Sequence, residues 1–179
     1  MGAVLTSAPH ATVQQIPPLE DSRWEEFVER SPNSSIFHTR GWLEALHRTY
    51  GYEPVVFTTS SPEEPLENCL LFCRVKSWLT GSRLVSLPFS DHCAPLVSDE
   101  PGIRPLLSAV EEEVRRDGMD YLELRAPNAV HDEMTLARSE YSYCFHQIDL
   151  SPELDQVFRG FHKDSTQRKI RRAEREGLS

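Results

Sequence analysis

Three consecutive apolar runs constrain this chain most: Tyr52–Thr59, Asn68–Lys76 and Arg83–Phe89. Each has the length of a strand, and Ser60–Pro65, rich in Ser, Pro and Glu, supplies a hairpin loop between the first two. In the second run Cys69, Leu71, Cys73 and Val75 alternate onto one face, and in the third Val85, Leu87 and Phe89 do the same. The third run leads into a polar mouth, Pro88-Phe89-Ser90-Asp91-His92-Cys93-Ala94-Pro95. An antiparallel meander of this kind needs cover, and the flanking segments are suited to give it.

Residues 1–10 read as disordered, and Ala11–Ile16 as a first strand stopped by Pro17-Pro18. Asp21 or Ser22 then caps a helix with Trp24, Phe27 and Val28 inward. Thr39 caps a second helix with Trp42, Leu43 and Leu46 on one stripe, and Gly51 sits where a left-handed stop belongs. Beyond the meander, Pro101 opens a helix carrying Ile103, Leu107, Val110 and Val114, and Gly118 closes it. Asp120–Arg125 reads as a strand, His131–Ser139 as a weak helix, Tyr141–Leu150 as a last strand, and Ser151-Pro152 as the start of a helix through Phe161. The order β-α-α-β-β-β-α-β-α-β followed by two helices implies a mixed α/β (α+β) domain, with a central sheet flanked by helices.

Charge narrows the function. The net charge of −9 argues against a general DNA-binding protein. It is unevenly spread: from Arg159 onward the chain carries +4, so the remainder carries −13. No Cys or His pair has the spacing of a metal site, and Cys69, Cys73, Cys93 and Cys144 read as buried free thiols. No run approaches the roughly 18 apolar residues of a spanning helix, and there is no signal-like start.

The positive excess lies on one helix, expected over about Ser165–Glu176, with Asp164 and Gln167 as a capping box. Arg168, Arg171, Arg172 and Arg175 fall at i, i+3, i+4 and i+7 and share a face. One reading is a solvated face with Arg171–Glu174 and Arg172–Glu176 pairs. The other is a site for phosphate or carboxylate, which guanidinium forks recognise bidentately. At the mouth, Ser90, Asp91, His92 and Cys93 point in alternating directions, so they form no triad among themselves, although any one can line a pocket. Arg125 ends a strand beside a Pro turn, as a ligand contact or an ion pair, and His38 reads as a packed ring or a pocket residue.

The chain also resembles the FemAB-like and GNAT-like acyltransferases. The resemblance rests on Phe37-His38-Thr39 with Trp42, on Tyr50-Gly51-Tyr52-Glu53-Pro54, on Leu87-Pro88-Phe89-Ser90-Asp91-His92, on Tyr121–Arg125, and on Ile148–Ser151 followed by Phe161-His162-Lys163 and Arg168–Leu178. It implies a GNAT-like domain over 11–161 and, in 162–179, the first helix of a second, truncated GNAT-like domain. It implies the acceptor-side half of an acyl- or aminoacyl-transferase acting on a peptidoglycan or exopolysaccharide precursor that bears phosphate or carboxylate. The co-substrate would be acyl-CoA or aminoacyl-tRNA, bound by the missing C-terminal domain, so this part alone is expected to be inactive and to hold no cofactor. The implied address is the bacterial cytoplasm, at or near the inner membrane. Substrate-binding residues expected on this basis are Arg168, Arg172, Arg125, Phe89, Asp91 and His92; no catalytic residue is assigned. One departure is informative. The pyrophosphate-binding signature R/Q-x-x-G-x-G/A of the GNAT fold is absent from Ser90–Arg104, which has one glycine, Gly102. A non-catalytic module binding an anionic glycan or phospho-sugar is the alternative.

Overall fold

The structure, a computed structural model, describes residues 12–98, 100–127, 144 and 146–178. The chain divides into two compact units, Met1–Glu140 and Tyr141–Ser179.

The first unit is built on the meander. Strands β2 (Glu53–Thr58), β3 (Leu70–Ser77) and β4 (Gly81–Val85) pair antiparallel in sequence order. Strand β1 (Gln14–Ile16) adds antiparallel to β2, and β5 (Tyr121–Glu123) adds parallel to β4. The five-stranded mixed sheet therefore runs β1-β2-β3-β4-β5, with the meander at its centre. Among the described residues, helices α1 (Arg23–Arg30), α2 (Arg40–Tyr50) and α3 (Glu100–Arg116) and a 3-10 turn at Ile36–His38 complete the unit. This is the mixed α+β architecture expected from the sequence, and the expected element order holds through β5.

Strand periodicity divides the core between the two faces of the sheet. On one face Val56, Leu71, Cys73, Val75 and Val85 pack with Trp24, Phe27 and Val28 of α1 and Leu43 and Leu46 of α2. On the other, Val55, Phe57, Leu70, Phe72 and Leu84 pack with Ile103, Leu106, Leu107, Val110 and Val114 of α3. β2 and β3 are thus covered on both sides, which is why their sequences are almost continuously apolar. Glu113, the more deeply buried of two carboxylates on α3, accepts a bond from Arg74 Nε at 2.8 Å and another from the Gln15 amide. A buried charge needs such partners, and here they tie α3 to β1 and β3.

Local signals act as the sequence implies at most helix ends. Thr39 Oγ1 accepts from the Trp42 N–H, and Gly51 ends α2 at φ +68°. Asp21 rather than Ser22 serves α1: its Oδ1 accepts the Arg23 N–H at 3.0 Å, and Arg23 binds the same carboxylate. Strands β1, β4 and β5 are shorter than expected, β1 covering only Gln14–Ile16. β4 ends at Val85, because Pro88 has no N–H and Phe89 adopts φ +60°, which no strand tolerates. β5 ends at Glu123, because the next backbone groups bond to the loop after β4. Cys69, Cys73 and Cys93 are buried free thiols as expected, whereas Cys144 is exposed.

The second unit holds α4 (Leu154–Gly160), a π-helical turn (Lys163–Gln167) and α5 (Arg168–Arg175). The capping box expected at Asp164 and Gln167 does not form. Both residues lie inside the π turn, and buried Gln167 instead donates to Phe161 O at 2.7 Å. Gly177, at φ +69°, and the Leu178 N–H bonded to Ala173 O close α5 as a Schellman motif. The expected last strand, Tyr141–Leu150, is not seen in residues 144 and 146–150. Its other residues, the weak helix at His131–Ser139 and the N-terminal residues 1–10 lie outside the described residues.

Candidate functional site

The mouth is the loop between β4 and α3, and its shape follows from where its polar groups bond. The Ser86 N–H continues the parallel ladder to Glu123 O at 2.8 Å. Beyond it, Arg125 fastens the loop in four places. Its N–H donates to Ser86 Oγ at 2.7 Å, and its carbonyl accepts the Cys93 N–H at 2.8 Å. Its guanidinium Nη1 donates to Ser90 O at 2.6 Å and to Leu87 O at 3.3 Å, while Nε pairs with Glu123 at 2.6 Å. Ser90, itself buried, donates its hydroxyl back to Leu87 O at 2.8 Å. Arg125 is therefore a clasp on the mouth.

The clasp presents Phe89. This residue is 59% exposed and sits in the left-handed region, a conformation that costs a non-glycine residue roughly 1–2 kcal/mol. Its ring lies 4.7 Å from that of Tyr50, which stacks on Tyr52 at 5.4 Å and 19°. Beside this aromatic shelf runs a groove of about 170 Å³ lined by Trp42, Ala45, Leu46, Thr49, Tyr50 and Phe89. The five α2 residues are spaced i, i+3, i+4, i+7 and i+8, one stripe of a helix. That extension of the Trp42/Leu46 stripe to an exposed Tyr50 was legible in the sequence, and reading Gly51 only as a helix stop missed it.

The remaining mouth residues diverge. Asp91 is exposed. His92 packs edge-on against Phe37 at 5.5 Å, and Phe37 in turn meets Trp42 at 5.2 Å. Cys93 turns inward and places Sγ 3.5 Å from His38 Nε2. That distance suits a nucleophile–base pair, but the chemistry does not. His38 Nδ1 accepts the Ser35 N–H at 3.1 Å, so the ring proton sits on Nε2 and is directed to Ala94 O at 3.1 Å. Burial pushes the Cys93 thiol up to about 12 and draws the His38 imidazole below its usual value. A neutral thiol beside a neutral ring that has no free acceptor is packing, so His38 is a packed ring.

In the second unit Arg168, Arg171, Arg172 and Arg175 are all exposed. Arg172 Nε pairs with Glu176 at 2.7 Å, as expected, while Arg171 lies over the Phe158 ring at 5.4 Å. Among the described residues no group of three or more His, Cys, Asp or Glu is placed to hold a metal ion. No described helix is long and apolar enough to cross a membrane.

No family model matches the chain, and no curated protein matches it. Among solved structures it is similar to one described as the crystal structure of a probable acetyltransferase. That likeness covers 79% of this chain and 99% of the other, at 16% identity and a TM-score of 0.45.

Proposed function

We propose that this chain is the acceptor-binding part of a GNAT-like acyl- or aminoacyl-transferase, of the FemAB-like kind, acting on a cell-envelope precursor. The observation that carries the reading is Phe89: an exposed aromatic side chain on a left-handed backbone, held there by the Arg125 clasp. Exposure and strain both count against stability, and strain that the surroundings over-determine is a mark of a functional position. The shelf of Phe89, Tyr50 and Tyr52 offers apolar faces to a substrate, with Asp91 and His92 on the same loop.

The reaction would be attack of an acceptor amine on an activated acyl carbonyl, with the protein supplying orientation and charge stabilisation. The loop after β4 is where a GNAT domain would hold the pyrophosphate of acyl-CoA. Here its N–H groups at Ser86, Ser90, Cys93 and Leu96 are committed to Glu123, Leu87, Arg125 and Cys69 carbonyls. A loop with those donors engaged is a poor anion cradle. This supports a donor, acyl-CoA or aminoacyl-tRNA, bound by a further GNAT-like domain that begins with 162–179. Arg168 and Arg172 would then take the phosphate or carboxylate of the precursor, in the cytoplasm at the inner face of the membrane. The same commitment of N–H groups is what favours the second reading, a non-catalytic module for an anionic glycan or phospho-sugar.

The test is titration of a UDP-linked peptidoglycan precursor into the protein, with turnover measured in the presence of acyl-CoA or aminoacyl-tRNA. Charge-assisted contacts contribute about 1.5–3 kcal/mol each, so Arg168→Ala/Arg172→Ala should weaken precursor binding by about two orders of magnitude. Binding without turnover selects the module, and equal affinity for wild type and double mutant returns the arginines to a solvated face.

A further inference from the structure

The β3–β4 hairpin ends in an exposed apolar turn. Trp78 is 97% exposed and Leu79 73% exposed, side by side at the tip. The turn is nevertheless ordered by its own bonds. Ser77 Oγ accepts the N–H of both Leu79 and Thr80, each at 3.2 Å. Arg83 Nη1 donates to Thr80 Oγ1 at 2.8 Å and to Thr80 O at 3.4 Å. Two N–H groups and a carbonyl of the tip are thus satisfied within the hairpin, which lowers the cost of taking them out of water.

Charge surrounds the tip in a definite pattern. Lys76 pairs across the hairpin with Ser82, so Arg83, the next residue, points to the opposite face. One cation therefore stands on each face behind the two apolar side chains, with the Tyr121 ring 5.8 Å from the Arg83 guanidinium. The acidic groups nearby are Asp120, whose carboxylate takes the Ser82 N–H, and Asp117, paired with Arg116. The end of the hairpin is net positive on a chain that carries −9. A rigid Trp-Leu point flanked by basic side chains matches an interface with apolar depth beneath an anionic surface. Trp rests well at such a boundary, and Lys and Arg stems reach past it to headgroups.

We infer that the Trp78-Leu79 tip is a membrane-surface anchor, which inserts into the headgroup boundary of an anionic bilayer with Lys76 and Arg83 on lipid phosphates. The inference rests on the hairpin alone and stands or falls apart from the acyltransferase reading. The experiment is sedimentation of the chain with vesicles of equimolar phosphatidylcholine and phosphatidylglycerol, against phosphatidylcholine alone, with tryptophan emission recorded. Expected are binding to the anionic vesicles, a blue shift, and loss of at least about tenfold in vesicle affinity for Trp78→Ser/Leu79→Ser. Lys76→Gln should weaken it about fivefold at low salt. Absence of binding overturns the inference, as does binding that the double substitution leaves unchanged. So does self-association that the double substitution abolishes while vesicles bind neither protein, since the tip would then be a protein contact.

Discussion

Arg125→Ala separates the two ways in which Arg125 fastens the mouth. The substitution removes the guanidinium and leaves the backbone bonds, namely the N–H to Ser86 Oγ and the carbonyl to the Cys93 N–H. The largest single loss is the 2.6 Å bond from Nη1 to Ser90 O, a charged donor on a carbonyl, worth about 1.5–3 kcal/mol. The Glu123 pair is partly exposed and adds at most about 1 kcal/mol. Against this, a loosened loop lets Phe89 leave the left-handed region and recovers roughly 1–2 kcal/mol. Global stability should therefore fall by only about 1 kcal/mol in urea, while the loop opens far more readily. Amide hydrogen exchange reads the difference. The Ser90 N–H, bonded to Leu87 O at 3.4 Å, should exchange about ten- to a hundredfold faster in the variant. The Cys93 N–H should keep most of its protection. Arg125→Lys should fall between, because an ammonium lacks the fork that reaches Ser90 and Glu123 together. Unchanged exchange at Ser90 would refute the clasp, and equal acceleration at Cys93 would show that the side chain governs the whole loop.

Phe89→Gly relieves the left-handed backbone and forfeits the Tyr50 contact, terms of about 1 kcal/mol each, so the unfolding midpoint should hardly move while precursor affinity drops; a large loss of stability instead would make Phe89 a structural residue. His38 is held neutral by burial, so its folded value lies below the unfolded 6.5 and the unfolded state binds more protons in between. Its contribution is complete above the unfolded value and is lost as pH falls toward the folded one, so the urea midpoint should decline as pH drops below about 6.5, and His38→Gln should flatten that decline. Gly81→Ala should cost roughly 2–3 kcal/mol in urea denaturation: φ is +76°, and the new Cβ overlaps the Asp120 carboxylate that holds the Ser82 N–H.

What could be read from the sequence depended on whether one local rule decided the outcome. The faces of β3 follow from alternation alone, since Cys73 and Val75 meet one core while Leu70 and Phe72 meet the other. The stops at Gly51 and Gly177 follow from the freedom of glycine at positive φ. The end of β4 was not legible, because Val85, Leu87 and Phe89 keep the strand period while the backbone turns away at Pro88. Pro88 marks a break, but the turn at Phe89 is held by Leu87 and Ser90 carbonyls bonded to Arg125, 38 and 35 residues further on, which no local rule shows. The π turn at Lys163–Gln167 was missed for a similar reason: Asp164 and Gln167 have capping-box spacing, yet the Gln167 amide finds carbonyls of the preceding helix end. Pairing of Cys93 with His38 was hidden as well, since they stand 55 residues apart and no spacing links them.

Phe89 and Trp78 are the places where the sequence departs most from what stability would select, and they lie at opposite ends of one strand. β4 runs from the hairpin tip at Gly81 to the mouth after Val85. Between them it is locked by antiparallel pairing to β3, by parallel pairing to β5, and by Leu84 and Val85 in the two cores. A strand covered on both faces and paired on both edges transmits little motion, because packed interiors shift between discrete arrangements and do not bend continuously. The two ends can thus carry unfavourable exposure independently, each stabilised by its own bonds: Ser77 and Arg83 at the tip, Arg125 and Ser90 at the mouth. It follows that Trp78→Ser/Leu79→Ser should leave Ser90 exchange unchanged, and Arg125→Ala should leave the Trp78 emission unchanged. Substitutions this far apart with no shared partners are additive within about 0.5 kcal/mol. Coupling beyond that in a double-mutant cycle would mean that β4 is less rigid than its pairing implies.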